Sequence, residues 1–66
     1  MTFGEKLVKA RIEKGLTVAK LAEKAGCSTR AIKFWEQDKA EISFFNAVVL
    51  SQVLGLSLNY LAGLED

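Results

Sequence analysis

Residues 29–37 concentrate side chains that could contact another molecule, and helical spacing separates them from the apolar residues. At about 100° per residue, Ala31, Ile32 and Trp35 fall on a single apolar arc. Phe34 falls at the edge of the opposite arc, whose polar residues are Thr29, Arg30, Lys33 and Gln37. Arginine and lysine can donate to guanine, and threonine and phenylalanine can pack on a thymine methyl group. The stretch therefore suits contact with DNA bases, although a solvated amphipathic helix would show the same pattern.

A tight turn, Ala25-Gly26-Cys27-Ser28, joins this stretch to a preceding short helix. Gly26 allows a backbone conformation that a larger side chain would resist, and Cys27 can point inward as a small apolar residue. Such a turn sets two helices at a steep angle, so that the second protrudes where a major groove can receive it. Residues 17–38 therefore have the organisation of a helix-turn-helix.

Helical periodicity continues through the chain, and no stretch alternates as a β-strand does. Serine and threonine mark the starts of four helices, because their hydroxyl groups accept hydrogen bonds from free backbone amides. The pattern predicts a first helix over residues 3–14, followed by four helices that Thr17, Ser28, Ser43 and Ser57 cap and that end near residues 25, 37, 54 and 63, the third helix of the chain spanning residues 29–37. We therefore predict an all-α fold, a compact five-helix domain spanning residues 1–66, in which Trp35 is buried and faces the first and fourth helices.

Composition makes several classes of protein improbable. The 66 residues include no histidine and one cysteine, Cys27, so neither an internal disulfide nor a zinc or Cys–His catalytic site has enough suitable residues. We therefore expect no enzyme activity, no metal and no cofactor. No run approaches the roughly 20 apolar residues of a membrane span, and no signal-peptide pattern is present. These observations predict a cytoplasmic protein without a membrane partner.

Charge is distributed unevenly along the chain. Up to Lys39 there are nine basic and five acidic residues, a net charge of +4, whereas the remainder has three acidic residues and no base, a net charge of −3. A surface that faces DNA phosphates is therefore expected in the first part of the chain. A lysine-rich solvated surface would produce the same distribution.

The fourth predicted helix carries more apolar residues than one buried face requires. Phe44, Ala47, Val48, Leu50 and Leu54 fill the half that the core needs. A second apolar stripe points away from that half and comprises Phe45, Val49 and Val53, and Tyr60 and Leu64 of the last helix could extend it. The stripe predicts a contact surface, for a homodimer, for a further C-terminal domain or for a different protein. A two-fold dimer would place two recognition helices about 34 Å apart, as a palindromic DNA site requires.

The order and spacing of several short motifs resemble the phage repressor and Cro-like helix-turn-helix family, often called the XRE type. The motifs are Phe3-Gly4-Glu5-Lys6-Leu7, Arg11-Ile12-Glu13-Lys14-Gly15-Leu16-Thr17, Leu21-Ala22-Glu23-Lys24-Ala25-Gly26-Cys27-Ser28, Ala31-Ile32, Glu36 and Leu54-Gly55-Leu56-Ser57-Leu58. The resemblance covers nearly the whole chain. It implies a λ-repressor-like domain that binds double-stranded DNA as a transcriptional regulator, and specifically a repressor.

The resemblance also implies roles for individual residues. Contacts to DNA bases would come from Thr29, Arg30, Lys33 and Phe34. Contacts to phosphates would come from Thr17, Val18, Gln37 and Lys39. Arg11 and Glu36 would form a partly buried ion pair between the first and third helices, with a structural role.

Three positions depart from the family pattern. Val18 stands where glutamine is usual, Phe34 where a polar residue is usual, and Asp38 where glycine is usual. Asp38 tolerates a left-handed backbone but adds a negative charge near the phosphates. Two hypotheses follow: a regulator that binds a palindromic operator as a dimer, or an antitoxin-like or adaptor-like protein-interaction module whose helix-turn-helix no longer binds DNA.

Overall fold

The computed structural model describes residues 1–64, which fold into five α-helices with no β-strand among them. The helices are α1 (Phe3–Glu13), α2 (Val18–Ala25), α3 (Thr29–Glu36), α4 (Phe44–Leu54) and α5 (Leu58–Leu61). The all-α class and the order of the five helices are confirmed. The predicted ends of α1 and α3 lie one residue too far along the chain, and α5 ends at Leu61, before the predicted residue 63. Glu65 and Asp66, which belong to the acidic end of the chain, lie outside the described residues.

A hydroxyl residue precedes every helix and caps it. In each case the side-chain oxygen accepts a hydrogen bond from a backbone amide in the first turn, as seen for Thr2, Thr17, Ser28, Ser43 and Ser57. Such a cap stabilises a helix by about 1 kcal/mol. The four predicted caps are confirmed. Thr2 is a fifth, and it forms a reciprocal capping box with Glu5, whose carboxylate accepts from the Thr2 amide at 2.8 Å.

The core lies where the helices meet. Its fully buried side chains come from four different helices and are Leu7, Leu21, Ile32 and Leu50. The predicted burial of Trp35 in the same cluster is confirmed, but α3 packs mainly against α1 and α2 and not, as predicted, against α1 and α4. In turn, α4 packs against α2 and α5. This arrangement covers one side of α3 and leaves its other side open to solvent.

The predicted division of α4 into a buried and an outward face needs two corrections. Phe44, predicted to be buried, is 74% exposed, because the first residue of α4 only borders an open apolar cleft that Leu58 and Leu61 of α5 also line. Val53, predicted to point outward, is half-buried and packs against the core. Because α4 contacts both α2 and α5, its buried residues extend over more than one face of the helix. Phe45 is exposed and Val49 is half-buried, so the remaining outward stripe is shorter than predicted.

An ion pair connects α1 to α3. The Arg11 Nε lies 2.6 Å from Oε2 of Glu36, and the Nη2 donates to Oε1 at 3.3 Å. The remaining terminal nitrogen of Arg11, Nη1, donates to the Leu16 carbonyl at 3.0 Å. The pair is partly buried, as the resemblance implied, and it fixes the position of α3 relative to α1.

Candidate nucleic-acid interface

The turn between α2 and α3 positions the candidate interface. Gly26 adopts the left-handed conformation, with φ of 69°, and the Cys27 amide donates to the Ala22 carbonyl at 3.0 Å. Cys27 itself is half-buried against the core, and this burial raises the pKa of its thiol. The chain thus leaves α2 and enters α3 within three residues, as predicted for a helix-turn-helix.

The open face of α3 brings together all four predicted base-contacting residues. Thr29, Arg30, Lys33 and Phe34 are exposed, whereas Ile32 and Trp35 on the opposite face are buried. Because α3 is anchored through its buried side and through Glu36, the exposed residues are presented by a rigid element. The structure therefore supplies a protruding helix whose outer face combines cations, a hydroxyl group and one aromatic ring.

Arg30 differs sharply from Arg11 in its surroundings. No hydrogen bond or ion pair within residues 1–64 occupies the Arg30 guanidinium, whereas all three nitrogens of Arg11 are engaged. The guanidinium carbon of Arg30 lies 5.2 Å from the centroid of the Phe34 ring, within range of a cation–π interaction. Arg30 therefore retains its donors for a ligand while its orientation is restricted by the ring.

The predicted phosphate contacts flank α3. The Thr17 hydroxyl caps α2 by accepting from the Lys20 amide at 3.0 Å, and its O–H group can still donate to a ligand. The Val18 side chain packs against the core, which leaves only its backbone amide for contact with a phosphate. Gln37 and Lys39 are exposed at the end of α3. The structure thus places these four residues at the two ends of the helix-turn-helix.

Asp38 has a role that the sequence pattern did not indicate. Its backbone is left-handed, with φ of 56°, which is the conformation expected for a residue that replaces glycine. Its carboxylate accepts hydrogen bonds from the Thr2 hydroxyl at 2.6 Å and from the Gly4 amide at 2.9 Å. The Thr2 hydroxyl, followed by the Gly4 amide, lowers the pKa of the Asp38 carboxyl.

The negative charge that Asp38 adds beside the expected phosphate contacts is held against the start of α1. Its negative charge is offset by the N-terminus of α1, where free amides favour an anion. The closeness of this contact depends on Gly4, because a Cβ at position 4 would clash with the Glu36 carbonyl oxygen. The capping-box spacing of Thr2 and Glu5 is the one local signal that could have indicated this end of α1.

Tyr60 is engaged within the protein. The Lys6 Nζ donates to the Tyr60 carbonyl at 2.8 Å and lies 4.7 Å from the centroid of its ring. This contact joins α1 to α5 and leaves Tyr60 half-buried.

None of the helices in residues 1–64 is long and apolar enough to cross a membrane.

The tight turn, the anchored α3 and its open face define a helix-turn-helix protein. A family model described as "Helix-turn-helix" matches residues 7–61. The chain therefore belongs to this helix-turn-helix family, the XRE type that its motifs resemble. The fold and the family together place it in the class of DNA-binding transcription regulators. No curated protein sequence matches the chain.

Solved structures of bacterial and phage regulators are similar to the chain. The P22 c2 repressor in complex with a synthetic operator is 31% identical, with a TM-score of 0.89 and coverage of 92% of each chain. The biofilm master regulator SinR in complex with DNA is 29% identical, with a TM-score of 0.88 and coverage of 92% of this chain and 98% of SinR. A restriction-modification controller protein from Aeromonas hydrophila is 27% identical, with a TM-score of 0.84 and coverage of 89% of each chain.

Proposed function

We propose that the protein is a sequence-specific transcriptional repressor that binds double-stranded DNA by inserting α3 into the major groove. The observation that carries this proposal is the open face of α3, where Arg30 and Lys33 have no hydrogen-bond or ion-pair partner within residues 1–64 while the opposite face is buried. The similar P22 c2 repressor and SinR structures contain bound DNA, which supports the same ligand for this chain.

The contacts would divide between bases and backbone. Base edges would meet Thr29, Arg30, Lys33 and Phe34, which supply sequence preference. Phosphates would meet the backbone amides at the start of α2, near Thr17 and Val18, and the side chains of Gln37 and Lys39. Phosphate contacts fix the register of the protein on the duplex and make affinity dependent on salt, because each neutralised phosphate releases counterions.

Two alanine variants test this division on a duplex selected from a random pool. Arg30→Ala should weaken binding to the preferred site by about 1–3 kcal/mol and relax the preference at one base pair. Lys39→Ala should weaken binding to all duplexes similarly and reduce the slope of log affinity against log salt by about 1. Gel-shift titrations at several salt concentrations measure both effects.

A matched control comes from α5. Asn59 is an exposed polar residue far along the chain from the helix-turn-helix, and Asn59→Ala should leave affinity, site preference and salt slope unchanged. If Arg30→Ala behaves like this control, the assignment of α3 as the recognition helix is wrong. If the parent shows no salt-dependent binding to any duplex, a protein-interaction module becomes the better description.

We also propose that the protein binds DNA as a two-fold dimer through α4. The 74% exposure of Phe45, with Val49 half-exposed beside it on the same side of the helix, supports a contact surface there. Tyr60 and Leu64 would lie at its margin, and Val53 would support it from the core side. A dimer of this kind would set two copies of α3 about 34 Å apart on a palindromic operator.

Sedimentation tests the dimer directly. Val49→Asp should convert a dimer to a monomer without unfolding it and should weaken operator binding, because a charge at the contact surface would be desolvated on association. Phe45→Ala should also shift the dimer to a monomer. Because Phe45 is exposed, its truncation should not unfold the protein, so loss of the dimer would reflect the lost contact. A parent that sediments as a monomer at high micromolar concentration, with and without a palindromic duplex, would exclude self-association.

A further inference from the structure

We propose that Arg30 and Phe34 act together as one recognition unit, which selects a guanine that has a thymine in the adjacent base pair. This inference rests on the proposed function and specifies the class of DNA sequence that α3 reads. It adds a requirement that separate contacts would not impose, because the guanine and the thymine methyl group must occur side by side.

The unit arises from helical spacing. Residues four apart lie on the same side of a helix, and the Arg30 guanidinium carbon is 5.2 Å from the centroid of the Phe34 ring. The ring covers one side of the guanidinium and leaves its donors without a protein partner in residues 1–64. A guanidinium held in this way loses less rotational freedom when it binds, so its two parallel donors are prepared for the O6 and N7 atoms of guanine.

Phe34 would select the thymine in the adjacent base pair. The ring is 37% exposed on a face that is otherwise polar, which makes it the one large apolar group on the open side of α3. The thymine methyl is the apolar group that base pairs present in the major groove. Successive base pairs are about 3.4 Å apart, so a ring stacked beside the arginine reaches the neighbouring pair rather than a distant one.

Lys33 provides a contrast on the same face. It is exposed and makes no cation–π contact within residues 1–64, so it can contact guanine as a flexible point charge but imposes no requirement on the neighbouring base pair. The coupling between adjacent base pairs is therefore expected at the Arg30 position and not at the Lys33 position.

The test uses a randomised duplex pool and uracil substitution. The parent should enrich sites in which a guanine is adjacent to a thymine. Replacing that thymine with uracil removes one methyl group and should weaken binding about fourfold. In Phe34→Ala the same replacement should have no effect, and Arg30→Ala should lose the preference for the guanine. Uracil at a thymine elsewhere in the enriched site is the matched control, and it should affect the parent and Phe34→Ala equally.

The outcomes separate this inference from the function on which it rests. A pool in which no sequence is enriched overturns the proposed function and this inference together. Enriched sites in which no guanine is adjacent to a thymine overturn the inference alone. If uracil weakens binding equally in the parent and in Phe34→Ala, the inference alone is also overturned, because a double-mutant cycle then shows no coupling between the ring and the methyl group.

Discussion

Replacing Trp35 with alanine should remove much of the stability of the protein and lower its melting temperature steeply. Trp35 is 6% exposed and belongs to the buried cluster that includes Leu7 of α1 and Leu50 of α4. Truncating a buried aromatic residue to alanine costs about 3–5 kcal/mol. A domain of this size has a free energy of unfolding of roughly 3–10 kcal/mol, so the loss removes much of its stability. Circular dichroism at 222 nm during a thermal melt measures the change.

Two control variants test whether the loss of stability comes from removing a buried aromatic side chain. Trp35→Phe keeps an aromatic ring in the core and should lose less stability than the alanine variant. Ile12→Ala removes a large apolar side chain that is 62% exposed, and its melting temperature should remain close to that of the parent. A melt of Trp35→Ala that overlays the parent would show instead that the indole lies outside the core.

Gly4→Ala should destabilise the protein, although alanine is the better helix former. In an ordinary helical position this substitution would stabilise by up to about 1 kcal/mol. At position 4 the new Cβ would clash with the Glu36 carbonyl oxygen and would lie 2.7 Å from that of Trp35. Since both contacts are with backbone, α1 and the end of α3 must move apart, at a cost of about 1–3 kcal/mol.

The direction of the change in melting temperature shows whether the close approach at Gly4 or helix propensity has the larger effect. A lower melting temperature, together with weaker binding to the selected duplex, would show that α1 holds the end of the recognition helix in place. A higher melting temperature would mean that helix propensity dominates and that the close approach at Gly4 relaxes easily. Lys9→Ala is the control, because Lys9 is an exposed position of α1 and alanine there should change the melting temperature little.

Local chemistry made most of the helices predictable. The caps depend on a hydroxyl group within three residues of the amide that it binds, so Thr17, Ser28, Ser43 and Ser57 indicate where helices begin. The open face of α3 was predictable for a similar reason, since its polar and apolar residues separate cleanly at helical spacing. The stack of Arg30 on Phe34 could also have been expected, because residues four apart meet on a helix surface.

The faces of α4 could not be assigned from periodicity. Only Asn46, Ser51 and Gln52 are polar among its eleven residues, so the sequence contains little directional signal. Exposure of Phe44 and burial of Val53 follow instead from where α2 and α5 pack, which is a property of the tertiary structure.

The contact between Asp38 and Thr2 joins residues 36 positions apart, and nothing in either local sequence specifies it. The Arg11–Glu36 pair is likewise distant in sequence, and only the family resemblance indicated it.

The attachment of Thr2 to Asp38 has a practical consequence for anyone who prepares this protein. Thr2 donates to a residue that lies between Gln37 and Lys39, the proposed phosphate contacts at the end of α3. A purification tag fused ahead of Met1 would therefore emerge beside the end of α3 that is proposed to contact DNA. A basic tag there would add phosphate contacts of its own, and an acidic one would repel the duplex. Affinities for DNA should accordingly be measured after removal of any N-terminal tag.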